Sequence, residues 1–98
     1  MFETEGLDEL IERIALRDET AFHKLYEETK SAVFNFAMSI LKHPQDAEDV
    51  MQDTYLSVYH ASASYNARGK PMAWIFTITR NHCMMKLRNQ KTRQETSM

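Results

Sequence analysis

Apolar residues recur at helical spacing along most of the chain. Leu7, Leu10, Ile11 and Ile14 fall at i, i+3, i+4 and i+7, which predicts a short amphipathic helix over 8–17 with one buried stripe. Asp18 ends that helix and is placed to cap the next, because its carboxylate can accept from the free backbone N–H groups of Thr20 or Ala21. Phe22, Leu25, Tyr26, Val33, Phe36, Ala37 and Ile40 then repeat near the helical period, predicting a long second helix over 21–42. His43-Pro44 closes it, since a residue before proline avoids the α region. Asp46, with Asp49 three residues on, forms an approximate capping box for a third helix that carries Val50, Met51, Leu56 and Val58 to about His60. Residues 61–69 lack an apolar period and collect small and turn-forming types, so they read as a loop holding Tyr65. Pro71 suits a first helical position, and a fourth helix continues through Trp74, Ile75, Ile78 and Leu87 to about Lys91, leaving 92–98 as a frayed polar tail.

Composition agrees with an all-α reading. Two Gly and two Pro in 98 residues are too few punctuators for a many-stranded sheet. A chain of this length buries roughly 60–70% of its unfolded surface, enough for one compact three- to four-helix bundle and no second domain. We assign the domain to 1–93 and the start of a linker or tail to 94–98. The single cysteine, Cys83, cannot close an intramolecular disulfide, and no Cys-x-x-Cys zinc pattern exists, which suits a reducing cytoplasm. No apolar window of about 18 residues is present, and the first five residues hold two glutamates where a signal peptide needs a basic flank, so neither membrane spanning nor export is expected.

Charge changes the picture more than composition does. The net charge of −2 conceals an uneven split. Residues 1–56 hold 5 basic and 13 acidic side chains, while 57–98 hold 7 basic and 1 acidic. Such a dipolar domain suits two partner surfaces of different charge, one of them nucleic acid, although the same charges also solvate helix faces.

Two constellations follow from the split. Glu48, Asp49, Gln52 and Asp53 share one face of the third helix, where like charges repel. A basic partner would give that cluster a purpose; helix-dipole complementarity and plain solvation are the other explanation. Tyr65, Asn66, Arg68 and Lys70 precede the fourth helix, which adds Trp74, Arg80, Asn81, Lys86 and Arg88. Cations for phosphates, a ring for stacking and an amide for a base edge are what single-stranded nucleic acid requires, while Lys and Arg late in a helix also complement its dipole. Trp74, spaced with Ile78, fits a core position better than a stacking one. His23, His43, His60 and His82 form no ligand pair, Cys83 has no base to activate it, and no catalytic group, metal or cofactor is expected.

The block Ala47-Glu48-Asp49-Val50-Met51-Gln52-Asp53-Thr54-Tyr55-Leu56-Ser57-Val58-Tyr59 is followed by a loop. After it comes Ala73-Trp74-Ile75-Phe76-Thr77-Ile78-Thr79-Arg80-Asn81. Together they resemble region 2 of the bacterial extracytoplasmic-function (ECF) sigma factors of the sigma-70 family. Asp18, Ala21, Phe22, Leu25 and Tyr26 extend the resemblance to about residues 5–93.

The resemblance implies a non-enzymatic transcription-initiation domain. Its fold would be the helical bundle of that region. It would bind the clamp coiled coil of the β′ subunit of core RNA polymerase through Glu48, Asp49, Gln52 and Asp53. It would also recognise and help melt the promoter −10 element, holding the non-template strand and a flipped base through Tyr65, Asn66, Arg68, Lys70, Trp74, Arg80 and Asn81. Lys86 and Arg88 would meet phosphates. The resemblance also implies an anti-sigma factor as inhibitory partner and a cytoplasmic location with polymerase. Met85 stands where the family often has Asp and Thr77 where a basic residue is common. The chain ends at Met98 without the domain that reads the −35 element, as an excised region 2 or a natural short form. The alternative is a sigma-like helical interaction module that binds a regulator without recognising DNA.

Overall fold

In a computed structural model that describes residues 4–96, with side chains for 6–91, the chain forms four α-helices: α1 (Thr4–Ala15), α2 (Glu19–Leu41), α3 (Pro44–Ala61) and α4 (Pro71–Thr96). A single 3-10 turn, Ser62–Ser64, follows α3. The α2 helix packs on all three others, and α3 packs on both α2 and α4.

Each helix turns one stripe inward. On α1 the predicted Leu7, Leu10, Ile11 and Ile14 are all buried. On α2 the buried line is Ala21, Leu25, Thr29, Val33 and Ala37, with Phe22, Tyr26, Phe36 and Ile40 half-buried beside it. On α4 it is Pro71, Ile75, Thr79 and Cys83, each one turn from the last. Two expected core residues fall outside: Leu56 is 59% exposed and Leu87 39%. Small or hydroxylic residues do more of the inner packing than apolar periodicity indicates, because helices crossing closely need little volume at the contact.

Three threonines, one each on α2, α3 and α4, are buried, and each hydroxyl donates to the carbonyl one turn back: Thr29 to Leu25 (2.7 Å), Thr54 to Val50 (2.8 Å) and Thr79 to Ile75 (2.9 Å). Their polarity is satisfied within their own helices. Thr29 Oγ1 also lies 2.5 Å from the Tyr55 hydroxyl, bridging α2 to α3.

Burial pushes the Tyr55 phenol up from its ordinary 10 to about 12. The folded state therefore holds this proton more tightly than the unfolded chain. The associated stability is fully present below about pH 10 and is lost as pH rises towards 12, a swing of about 2–3 kcal/mol. Urea midpoints measured from pH 9 to 12 should fall for the wild type and fall less for Tyr55→Phe. The Tyr65 phenol is also raised, first by burial and then by Asp8, so part of the slope persists.

The helix ends differ from the sequence expectations where caps intervene. Asp18 does cap α2, its carboxylate accepting from the Ala21 N–H at 3.2 Å, and the hydrogen bond from Arg13 holds its carboxyl below the usual range. Proline is not what stops α2. The stop is Lys42, in the left-handed region at φ 57°, with its N–H returned to the Met38 carbonyl at 2.8 Å. Pro44 instead opens α3, with His43 as its cap, so the Asp46/Asp49 box lies inside the helix. The tail expected to fray from Thr92 continues α4 to Thr96, across the expected domain boundary at 93; residues 97–98 lie outside the described residues.

Candidate partner-binding surfaces

The outer face of α3 exposes Glu48, Gln52 and Asp53 together with Leu56, at the spacing that puts all four on one side of the helix. Beside it, between α2 and α3, runs a cleft of about 700 Å³ lined by Phe22, Tyr26, Tyr55 and Tyr59, with Gln52 and Leu56 contributed by α3. Its aromatic rings pack edge to face, Phe22 on Tyr59 at 5.4 Å and Tyr26 on Tyr55 at 5.0 Å. Carboxylates next to an aromatic, apolar floor form a surface that a basic and partly apolar helix could fill. Sequence reasoning missed Leu56 and the aromatic floor. The i, i+4 aromatic pairs, Phe22/Tyr26 and Tyr55/Tyr59, were the available signal.

Asp49 is a different case. Lys86 of α4 reaches it at 3.1 Å and Asp46 at 3.8 Å, and Gln90 donates to Asp46 at 2.8 Å. The hydrogen bond from Lys86, followed by one from Gln45, holds the Asp49 carboxyl below the usual range. The like-charge repulsion expected within this acidic cluster is therefore offset at Asp49, because α4 supplies its counter-charge. Lys86 points towards α3, away from the side of α4 on which Thr77, Arg80, Asn81, Arg88 and Lys91 are exposed. That outer line is cationic and carries an amide. Arg80 and Arg88 make no ion pair among the described residues.

The loop before α4 divides in the same way. Asn66 and Lys70 are exposed, whereas Tyr65 and Arg68 are engaged by α1. The Tyr65 hydroxyl donates to Asp8 and lies 3.0 Å from the Ala67 carbonyl. Its ring meets Trp74 edge-on at 4.8 Å. Trp74 is half-buried against the core, as its spacing with Ile78 suggests. Arg68 pairs with Glu12, which raises its already high pKa. Of the expected nucleic-acid residues, Asn66, Arg68, Lys70, Arg80, Asn81 and Arg88 are exposed, Arg68 being paired to Glu12, while Tyr65, Trp74 and Lys86 are half-buried in structural contacts.

Cys83 is buried, and burial pushes its thiol up, away from the thiolate a nucleophile needs. Among the described residues no helix is long and apolar enough to cross a membrane.

Residues 25–93 match the model of the Sigma-70 region 2 family, a span that includes the outer line of α4 and, of the cleft, Tyr26 and the α3 side but not Phe22. The chain is 35% identical over 91 residues to the ECF RNA polymerase sigma factor SigK of Mycobacterium sp. (strain KMS), covering 92% of this chain and 47% of the relative. It is 29% identical over 89 residues to the SigK of Mycolicibacterium vanbaalenii, covering 90% and 45%. With the SigK of Mycobacterium tuberculosis (strain CDC 1551 / Oshkosh) it is 31% identical over 83 residues, covering 84% and 44%. The chain thus spans about half the length of the curated relatives it matches. No solved structure matches it significantly.

Proposed function

The chain belongs to the Sigma-70 region 2 family, and from that premise we propose that it docks on bacterial core RNA polymerase and holds melted promoter −10 DNA during transcription initiation. The observation that carries this reading is the division of labour between two helices. Exposed carboxylates and an aromatic cleft lie on α3 and its border with α2, and an exposed cationic line with an amide lies on α4. The first suits the β′ clamp coiled coil, met through Glu48, Gln52 and Asp53, with Asp49 contributing if Lys86 yields it. The second suits the displaced single strand, with Arg80 and Arg88 on phosphates and Asn81 on a base edge. The role is a binding one with no catalysis, performed in the cytoplasm with polymerase, and an anti-sigma factor would compete for the same surfaces.

A net charge of −2 makes the free domain a weak DNA ligand. Docking the acidic half on polymerase would leave the basic half for the strand. The expected result is therefore little binding of the free chain to labelled single-stranded DNA, and selective binding once purified core polymerase is present. On that complex Asn81→Ala should lower affinity for the preferred strand by about tenfold while polymerase binding stays unchanged. Arg88→Ala should weaken all strands alike and reduce the salt slope by about one. Tight, salt-insensitive binding of the free chain to duplex DNA would refute the proposal.

A second reading, a sigma-like module that binds a regulator without DNA, is favoured by one observation: Arg68 and Lys86 are already paired to Glu12 and Asp49. Polymerase binding with no strand selectivity would select it.

A further inference from the structure

Asp8 is a carboxylate only 2% exposed, one turn before the exposed Glu12 on α1. Its two oxygens are both used on the loop between α3 and α4. Oδ1 accepts from the Tyr65 hydroxyl and Oδ2 accepts from the Gly69 N–H at 2.9 Å. Gly69 sits at φ +93°, a conformation that side-chain-bearing residues rarely adopt, and a Cβ there would meet nothing within 4 Å. Glycine is needed for the backbone turn and not for space. The turn is closed by the Lys70 N–H on the Ala67 carbonyl at 2.7 Å, and Pro71 begins α4 directly after it. Arg68, between these anchors, is held by Glu12.

A buried carboxylate is a costly way to attach a helix, since the charge must leave water. Leu7, Leu10, Ile11 and Ile14 already fasten α1 to the bundle. What Asp8 adds is direction: it fixes where one hydroxyl and one amide of the loop sit, on either side of Asn66 and next to Lys70.

We propose that Asp8 and Glu12 are positioning residues, which hold the 65–70 loop in the shape that admits a single DNA strand between the loop and α4. The inference rests on the DNA reading above. On it, Tyr65 and Arg68 shape the site from behind, and Asn66, Lys70, Arg80 and Asn81 touch the strand.

The test uses the chain bound to core polymerase. A randomised short single-stranded pool is enriched on the wild-type complex, and affinities for the enriched strand and its scrambled version are compared across variants. Asp8→Ala should reduce that ratio by about tenfold while polymerase affinity is unchanged. A merely structural role would lower both together. Asp8→Asn should restore the ratio. Its amide oxygen can accept from the Gly69 N–H and its NH2 can donate to the Tyr65 oxygen, whose own proton turns to the Ala67 carbonyl. Glu12→Ala, on the surface, should leave stability intact. It should free Arg68 to bind phosphates of any strand, steepening the salt dependence by about one contact and lowering the ratio. Trp74, the single tryptophan, reports the loop without DNA: acrylamide should quench it more in Asp8→Ala than in wild type or Asp8→Asn.

Should Asp8→Ala fail to fold, Glu12→Ala and Tyr65→Phe carry the same comparison. An unchanged ratio in the folded variants, on a wild-type complex that does enrich a strand, overturns the proposal alone. A wild-type complex that enriches no strand overturns the DNA reading, and the proposal with it.

Discussion

Asp53→Lys is expected to weaken binding of this chain to purified bacterial core RNA polymerase by about a hundredfold, because reversing a charge that meets a basic surface adds repulsion to the loss of attraction. Asp53 is the cleaner choice over Asp49. Substituting Asp49 also breaks its 3.1 Å contact with Lys86, so a loss there would mix docking with the α3/α4 contact. Gln52→Ala should cost about tenfold through loss of its amide contacts, and Leu56→Ala a similar amount through lost apolar contact at the rim of the cleft. Glu28→Lys makes the same change in net charge on α2 at an exposed position that does not line the cleft, and it should bind within about twofold of wild type after salt is raised. Equilibrium titration at two salt concentrations reads all four. Wild-type affinity in Asp53→Lys would place the docking surface elsewhere on the molecule.

Leu25→Ala is expected to destabilise the domain by about 2–5 kcal/mol, the range for a large side chain removed from a core that relaxes only partly. Leu25 is fully buried on α2, the helix on which the other three pack. Small domains have about 5–15 kcal/mol in all, so the melting temperature should drop by about 10–30 °C. Leu56→Ala provides the contrast. At 59% exposure it should change stability by no more than about 0.5 kcal/mol while weakening polymerase binding. Thermal melts followed by circular dichroism separate the two, and a large stability loss in Leu56→Ala would mean that its side chain serves the fold rather than the surface.

Much of this architecture is written locally, and the places where local reading fails share a cause. The α1 stripe and the Asp18 cap each depend on residues within a few positions of one another, and both were readable. Leu56 was assigned to the core on its apolar type, although six positions from Val50 it falls on another face of the helix. The packing of α2 and α4 against α3 gives the inner positions to Thr54 and Tyr55. In the same way Lys42 looked like an ordinary last helical residue, yet its left-handed backbone ends α2 and lets Pro44 begin α3 at once.

The candidate surfaces divide along the same line. The charge asymmetry, the α3 carboxylates, the α4 cations and the family motifs are properties of neighbouring residues, so the amino-acid sequence by itself determined an all-α sigma region 2 domain with an acidic helix and a basic one. Which charges remain available to a partner was decided by the tertiary structure alone. Asp49 meets Lys86 across 37 positions, Arg68 meets Glu12 across 56, and Asp8 meets Gly69 across 61. An ion pair or hydrogen bond acts only over a few ångströms, and no periodicity along a helix records which distant segment will be folded to within that reach.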